Sequence, residues 1–121
     1  MRIFKTKWFA RWAKSEKIAD EIFKNAIKEI EAGLHNGDMG ACLIKKRVAR
    51  KGEGRRGGYR TLLSFKQDKL AIFIFGFSKN DAENITKLQE EKFKKLSRDL
   101  QASAEKHLKQ LLEREQLIEV E

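Results

Sequence analysis

Residues 45–60, KKRVARKGEGRRGGYR, hold the side chains of this chain that are best suited to chemistry on a phosphate. Eight of them are lysine or arginine and one is glutamate, so the segment carries +7 of the formal net charge of +9. The remaining 105 residues are nearly balanced, with 19 basic and 17 acidic side chains. Charge concentrated in this way favours a local site for a polyanion over a basic surface that only aids solubility. We expect the polyanion to be RNA.

The middle of this segment, Lys51–Gly58, contains four glycines among its charges. Glycine adopts backbone conformations that other residues resist, and it lets a backbone approach a ligand closely. The segment is too short for a Walker phosphate-binding loop, and its GxG lacks the strand-to-helix context of a nucleotide fingerprint. We therefore predict a flexible basic loop at one end of a sheet.

The rest of the composition limits the classes of site and location. Cys42 is the only cysteine, which excludes an internal disulfide, fits a reducing compartment and is expected to be a small buried residue. No carboxylate pair or His/Cys cluster has the spacing of metal ligands, so we expect neither metal nor cofactor. No apolar run approaches the roughly 20 residues of a membrane span, and charges interrupt the basic, aromatic N-terminus. These features predict a cytoplasmic protein.

The elements that would position the basic segment begin with a short edge strand at Arg2–Lys5. Trp8, Phe9 and Trp12 follow at helical spacing, and we expect them in the core rather than in a base-stacking platform. Apolar residues then recur with a period near 3.6 from 18 to 34, which predicts a helix with Ser15 as its N-cap. The turn-rich sequence of residues 35–38 ends that helix and redirects the chain.

Three strands are predicted next, at Ala41–Val48, Gly58–Lys66 and Leu70–Phe77. The last reads LAIFIFGF, and the polar residues 66–69 form a connection of hairpin length between the second and the third strand. This arrangement predicts an antiparallel meander.

The C-terminal third is predicted to be helical. Asn80 with Glu83 resembles a capping box, and apolar residues from Ile85 to Leu111 mark one helical face. The chain contains no proline, and one helix of about 30 residues would span roughly 45 Å, longer than a domain of this size needs. Part of it should therefore project, fold back or meet a partner. We expect a single domain over residues 1–121, with a compact core to about 95 and a helical extension from about 96.

The predicted fold class is α+β, with two N-terminal helices packed on a small, mainly antiparallel, twisted sheet and a long C-terminal helical segment. In this order of elements the chain resembles the RelE/ParE superfamily of bacterial type II toxins, and most closely its HigB-like branch. The resemblance rests on KKRVARKGEGRRGGYR, on the strand FIFGF and on the SKND run after it. It is specific over residues 40 to 85.

The resemblance implies a small mRNA interferase that cuts message in the ribosomal A site and so inhibits translation. It also implies a cognate antitoxin, which we expect to be of the helix-turn-helix type and to be the only route by which operator DNA is bound. The partners expected for the chain itself are this antitoxin, the ribosome and mRNA, with no membrane.

The same resemblance suggests site residues. Arg60 matches the strand arginine that contacts the scissile phosphate in such toxins, and Lys79 matches the basic position after the last strand. Lys51, Arg55 and Arg56 fall in the loop that corresponds to the family's basic, substrate-facing region. Lys46, Arg47 and Arg50 extend the same surface and are further candidates for RNA binding. Because neighbouring residues of a strand face opposite ways, Lys46 and Arg47 cannot both point into one site.

The general acid and base are not evident from the sequence. Some relatives carry a tyrosine, or histidines with an aspartate, near the last helix, but the only tyrosine here is Tyr59 and no histidine lies near Lys79. Lys51, which loses its proton more readily among other cations, is the candidate base, with Asp81 as the alternative. His35 and His107 are expected to be structural or solvated.

Two other functions remain open at this point. One is a ParE-like toxin that is not a nuclease and inhibits DNA gyrase, which the missing acid–base group favours and the GGYR arginine disfavours. The other is a non-catalytic protein that binds RNA or the ribosome, for which the charge patch alone would suffice.

Overall fold

The computed structural model describes residues 1–35, 37–50, 54–78 and 84–120, and for residue 50 and residues 54–57 it describes the backbone alone. Within these ranges the chain forms four helices and one six-stranded sheet. The elements in chain order are β1 Arg2–Thr6, α1 Lys7–Ser15, α2 Asp20–Glu31, β2 Gly37–Asp38, β3 Leu43–Arg50, β4 Gly54–Lys66, β5 Leu70–Ser78, α3 Lys87–Ala102, α4 Glu105–Glu113 and β6 Leu117–Glu119.

The sheet has the strand order β2-β3-β4-β5-β1-β6. Strands β3, β4 and β5 form the antiparallel meander that their aromatic and β-branched residues predict. β1 pairs in parallel with β5, and β6 pairs antiparallel with β1. The N-terminal strand is therefore internal, and the prediction of an edge strand there is wrong.

Helices cover both faces of the sheet. α1 and α2 pack on what we term the first face, where the rings of Phe9, Phe23 and Phe73 lie 5.0–5.2 Å apart between centroids. α3 and α4 pack on the second face, over a separate cluster that includes Leu62 and Ile72. The two faces thus have different cores, and successive residues along a strand point alternately to one face and to the other.

The C-terminal residues close the second face. α3 and α4 are separated at Ser103, whose backbone is extended, and β6 then returns to the sheet beside β1. Leu100, Leu108 and Leu117 are buried against Phe4. The α+β class is confirmed, but the expected long C-terminal helical extension is not matched, because α3, α4 and the strand β6 pack into the core.

The helix boundaries also differ from those predicted. Ser15 ends α1, where its hydroxyl donates to the Trp12 carbonyl at 2.7 Å, and α2 begins only at Asp20. α3 begins at Lys87, with Thr86 and Gln89 forming a reciprocal capping box. The predicted cap at Asn80 and Glu83 lies outside the described residues.

The glycine-rich segment is more regular than expected. β4 starts at Gly54, which pairs with Arg50, so residues 54–58 form a strand rather than part of a loop. The rest of the predicted loop, residues 51–53, lies outside the described ranges. Cys42 is only partly buried and has a φ of +63°, which corrects the expectation of a small core residue. Across the described chain no helix is both long and apolar enough to cross a bilayer.

Candidate RNA-binding site

Arg47 of β3 and Arg60 of β4 lie directly opposite each other in the sheet. Residues paired in this way have Cβ atoms about 4.5–5.5 Å apart and share one face of the sheet. Leu43 lies four residues before Arg47 on β3, and Leu62 lies two residues after Arg60 on β4, so each leucine shares a face with its arginine. Both leucines belong to the core on the second face, which places both arginines on that face. Like charges placed opposite each other destabilise a sheet. A local conflict of this kind is typical of a functional site.

Lys46 lies on the first face, between Ile44 and Val48, and its side chain is buried beneath α2. Its exposed fraction is 2%, and its Nζ atom is 3.6 Å from a carboxylate oxygen of Glu29. Lys46 therefore presents no charge to a ligand beside Arg60. We exclude it from the candidate site, because strand alternation and the cover of α2 place it on the wrong side of the sheet.

Arg60 also has aromatic neighbours on β5. It is partly buried and pairs with Phe77, and the ring of Phe77 is 6.0 Å from that of Phe75. The Phe75 ring in turn is 5.0 Å from Phe93 of α3. These rings form an apolar layer beside the arginine, against which its stem can pack while the guanidinium reaches an anion.

Arg47 lies near the rim of the sheet. β2 pairs only with Ile44 and Lys45, so in the described residues β3 has no strand on its outer side from Lys46 onward. Arg47 borders a cleft of about 170 Å³ together with Asn25 and Glu29 of α2. Arg47 therefore lies on the second face close to the outer edge of the sheet.

Lys45 is a further cation of this surface, and it is not among the site residues predicted from the sequence. It shares the second face with Arg47, and its Nζ atom is 3.2 Å from the side-chain oxygen of Asn84. That contact ties the residues before α3 to β3. Strand alternation, which separates Lys46 from Arg47, also places Lys45 with Arg47, so the signal is present in the sequence.

The residues that most often act as acid or base lie away from Arg60. Tyr59 is buried on the first face, with its ring 5.3 Å from that of Trp12. His35 is exposed and shares a groove with Phe65, which is five residues from Arg60 along β4 and so about 17 Å away. His107 is exposed on α4. Tyr59 and His35 therefore do not face a ligand held by Arg60.

Several predicted site residues are not described in full. Lys51, Lys79 and Asp81 lie outside the described ranges, although Lys79 follows directly after Ser78, the residue paired with Tyr59. For three basic residues the structure gives the backbone alone, and it places them on β3 and β4: Arg50, Arg55 and Arg56. Of the predicted side chains, the structure thus brings Arg47 and Arg60 together and separates Lys46 from them. No cluster of His, Cys, Asp or Glu among the described residues is arranged to hold a metal ion.

Comparison with known proteins assigns the family. A family model described as the RelE toxin of the RelE/RelB toxin-antitoxin system matches residues 1–120, nearly the whole chain. No curated protein matches the sequence. The match supports membership of the superfamily and implies a RelB-like antitoxin as partner. It does not assign the chain to the HigB-like branch. The chain therefore belongs to the RelE toxin family and is the toxin component of a toxin-antitoxin system.

Proposed function

We propose that this toxin is an endoribonuclease that cleaves ribosome-bound mRNA without a metal ion and so inhibits translation. Membership of the RelE family supports a toxin of this kind. The observation that carries the proposal is the placement of Arg60 opposite Arg47 and beside Phe77 on one face of the sheet. The two arginines place positive charge on the face of the sheet where a phosphate would bind.

The chemistry requires three contributions. A base takes the proton of the ribose 2′-hydroxyl, the oxygen attacks the adjacent phosphorus, and an acid protonates the departing 5′-oxygen. The intermediate phosphorane carries more negative charge than the starting diester. Arg60 would bind its non-bridging oxygens through two parallel hydrogen bonds, which arginine makes with phosphate more readily than lysine does.

Placement of this charge favours the transition state over the substrate. The attraction between unit charges 4 Å apart is about 1 kcal/mol in water and about 4 kcal/mol at an effective dielectric constant of 20. Partial burial of Arg60 beside Phe77 moves the interaction toward the second value. Removal of one such stabilising group typically lowers a rate by about 10²- to 10³-fold.

The remaining roles fall to residues outside the described ranges. In this proposal Lys79 supplies a second cation at the phosphate, and Lys51 is the general base, with Asp81 as the alternative. The burial of Tyr59 and the distance of His35 support a search among these residues. Arg50, Arg55 and Arg56 would hold the backbone of the message or of ribosomal RNA, as a basic strand pair next to Arg60 allows.

The assignment of partners extends this proposal. We place the chain in the HigB-like branch and infer an antitoxin of the helix-turn-helix type, with operator DNA bound only through the complex. A basic site is most simply silenced by an acidic or amphipathic segment that covers it. A toxin–antitoxin complex that leaves both Arg60 and Lys79 fully accessible to solvent would contradict that part of the proposal.

The test is cleavage of an mRNA programmed on 70S ribosomes, compared with the same mRNA free in solution. The variants are wild type, Arg60→Ala and Arg98→Ala, the last removing an exposed arginine of α3 as a matched control. We expect cuts only on ribosomes, about 10²- to 10³-fold slower for Arg60→Ala and unchanged for Arg98→Ala.

Two results would overturn the proposal in different ways. If no cuts appear while expression still stops growth, the toxin is not a nuclease. Inhibition of DNA gyrase would then be assayed directly. Binding to ribosomes without cleavage and without growth arrest would instead indicate a non-catalytic RNA-binding protein.

A further inference from the structure

The outer face of α1 carries a second row of cations, well separated in sequence from residues 45–60. Lys7, Arg11 and Lys14 are all exposed and occupy positions i, i+4 and i+7 of the helix. At 100° per residue they fall within about 60° of one another, and they span about 10 Å along the axis. We term these three residues the α1 row.

The positive charge of the α1 row is not matched by ion pairs in the part of the chain that the structure describes. Within the described ranges none of its members forms an ion pair, whereas Lys5, only two residues before the row begins, is 2.7 Å from Asp20. Like charges at i, i+3 and i, i+4 cost a helix a few tenths of a kcal/mol for each pair. Residues 1–17 hold six basic side chains and one acidic one, so acidic residues of the same segment offset little of this repulsion.

An aromatic series joins the α1 row to the candidate site. Trp8, the neighbour of Lys7, is 47% exposed, and its ring stacks on Phe75 with the centroids 4.6 Å apart. Phe75 is next to Phe77, which lies opposite Arg60. The row and Arg60 therefore flank the same set of rings. A cationic track with aromatic rings is the arrangement that holds single-stranded nucleic acid.

The surroundings of the row favour RNA over a protein partner. On the helix itself only Ala10 lies between the cations, so this face of α1 offers mainly charge. The larger apolar residues nearby, Leu112, Leu117 and Ile118, belong to α4 and β6 across the adjoining groove. The row also borders a groove of about 780 Å³, whose other wall includes Glu115 and Glu119. Because that wall is acidic, a polyanion would lie along the outer face of α1 and not inside the groove.

We propose that the α1 row binds the phosphate backbone of RNA as a second contact, with Trp8 packing against a base, so that the toxin grips RNA on both sides of the ring series. This inference rests on the proposed function and deepens it. At 3.4 Å per nucleotide, the 10 Å span of the row matches about three nucleotide steps.

The test measures affinity rather than cleavage. The probes are 70S ribosomes programmed with a message whose 2′-hydroxyl at the cleavage site is methylated, so that it cannot be cut, and the same message alone. The triple variant Lys7→Gln, Arg11→Gln and Lys14→Gln is compared with a control triple of equal charge change on α3 and α4, whose three positions are all exposed: Lys92→Gln, Arg98→Gln and Lys106→Gln.

We expect the α1 triple to bind about 10- to 100-fold more weakly at 0.15 M salt. The negative slope of log affinity against log salt should become smaller in magnitude by about 2. The control triple should change affinity less than twofold. A loss seen only with ribosomes assigns the row to ribosomal RNA, and an equal loss with free message assigns it to the message. Trp8→Ala should weaken binding about fivefold or more, and Trp8→Phe should retain most of the affinity.

Equal effects of the two triples would overturn the proposal, because the row would then contribute only net charge. Unchanged RNA affinity together with lost binding of the cognate antitoxin would also overturn it and assign the row to that protein. Single-turnover cleavage at saturating ribosomes separates this inference from the proposed function. The α1 triple should cut at the normal rate once bound, whereas Arg60→Ala should bind and cut about 10²- to 10³-fold more slowly.

Discussion

The indole of Trp12 lies directly over Gly76, so closely that a Cβ atom at position 76 would be 2.3 Å from Cζ3 of the ring and 2.5 Å from Cη2. A glycine in the middle of a strand normally weakens it, but here it allows α1 to approach β5. Trp12 is itself held between Phe9 and Tyr59, with ring centroids 5.3 Å away in both cases. The indole therefore has little room to move aside.

We predict that Gly76→Ala lowers the free energy of unfolding by about 1–3 kcal/mol, as overpacking in a core does. Urea denaturation followed by circular dichroism measures the change. Gly37→Ala is the control, because a Cβ there has no heavy atom within 4 Å, and it should shift stability by less than about 0.5 kcal/mol. If both variants unfold at the same urea concentration, the contact between Trp12 and Gly76 is not as close as the structure has it.

Lys46→Met tests the exclusion of Lys46 from the RNA site. The substitution places an apolar chain of similar volume on a buried face, so stability should be unchanged or higher, and Glu29 remains 28% exposed and hydrated. Ribosome-dependent cleavage should stay within about twofold of wild type. Loss of cleavage with an intact fold would show that Lys46 serves the site, against its position under α2.

Ser97 is predicted to stabilise a strained turn. Its hydroxyl donates to the backbone carbonyl of Ala41 at 2.6 Å and lies 2.7 Å from the hydroxyl oxygen of Ser64. Ala41 and Cys42 both have a positive φ, which is unfavourable for residues other than glycine. Ser97→Ala leaves the partly buried Ala41 carbonyl without this donor, so we expect a loss of about 1–3 kcal/mol by urea denaturation. Ser103→Ala, which removes an exposed hydroxyl bonded to the carbonyl of Asp99, should cost much less.

The ends of the chain are joined by an ion pair whose effect depends on pH. Arg2 on β1 donates to Glu119 on β6 at 3.1 Å, and this hydrogen bond lowers the pKa of the Glu119 carboxyl below its usual 4.5. A lowered pKa in the folded state stabilises the fold at pH values above the unfolded pKa. This stabilisation disappears as the pH falls through the folded pKa.

Arg2→Gln should therefore lower the melting temperature at pH 7 and have a smaller effect at acidic pH, because the pair contributes less as the pH falls through the lowered pKa of Glu119. Because both side chains are exposed by a third or more, the effect at pH 7 should not exceed about 1 kcal/mol. Arg98→Gln provides the matched control. An effect of Arg2→Gln that is equal at neutral and acidic pH would rule out the carboxylate partners of Arg2, Glu119 and Glu105, as the cause.

Local sequence predicts the central part of the fold well. The aromatic and β-branched run before Ser78, the polar connection at 66–69 and the periodic apolar residues after Ile18 each depend on neighbours a few positions away. Strand alternation likewise separates Lys46 from Arg47 on the basis of their adjacent positions alone. These patterns repeat every two or every 3.6 residues, so a short segment of sequence is sufficient to predict the strand or the helix.

The errors lie where distant segments meet. β1 is internal because it pairs with β5, some 70 residues later, and with β6 at the other end of the chain. The break between α3 and α4 has no proline or glycine to mark it. It lets Leu100 and Leu108 reach the same core from two helices, and tertiary packing of this kind overrides local helix propensity.

The sequence by itself determined that a concentrated positive charge would lie on a β-meander and that alternate residues of it would face opposite ways. Only the tertiary structure decided which of those faces is closed, because α2 comes from an earlier part of the chain and covers Lys46 with Glu29. The arginine pair, the rings of Phe75 and Phe77 and the exposed Trp8 are adjacent for the same reason. Their proximity is a property of strand register and helix packing, which depend on contacts between residues far apart in sequence.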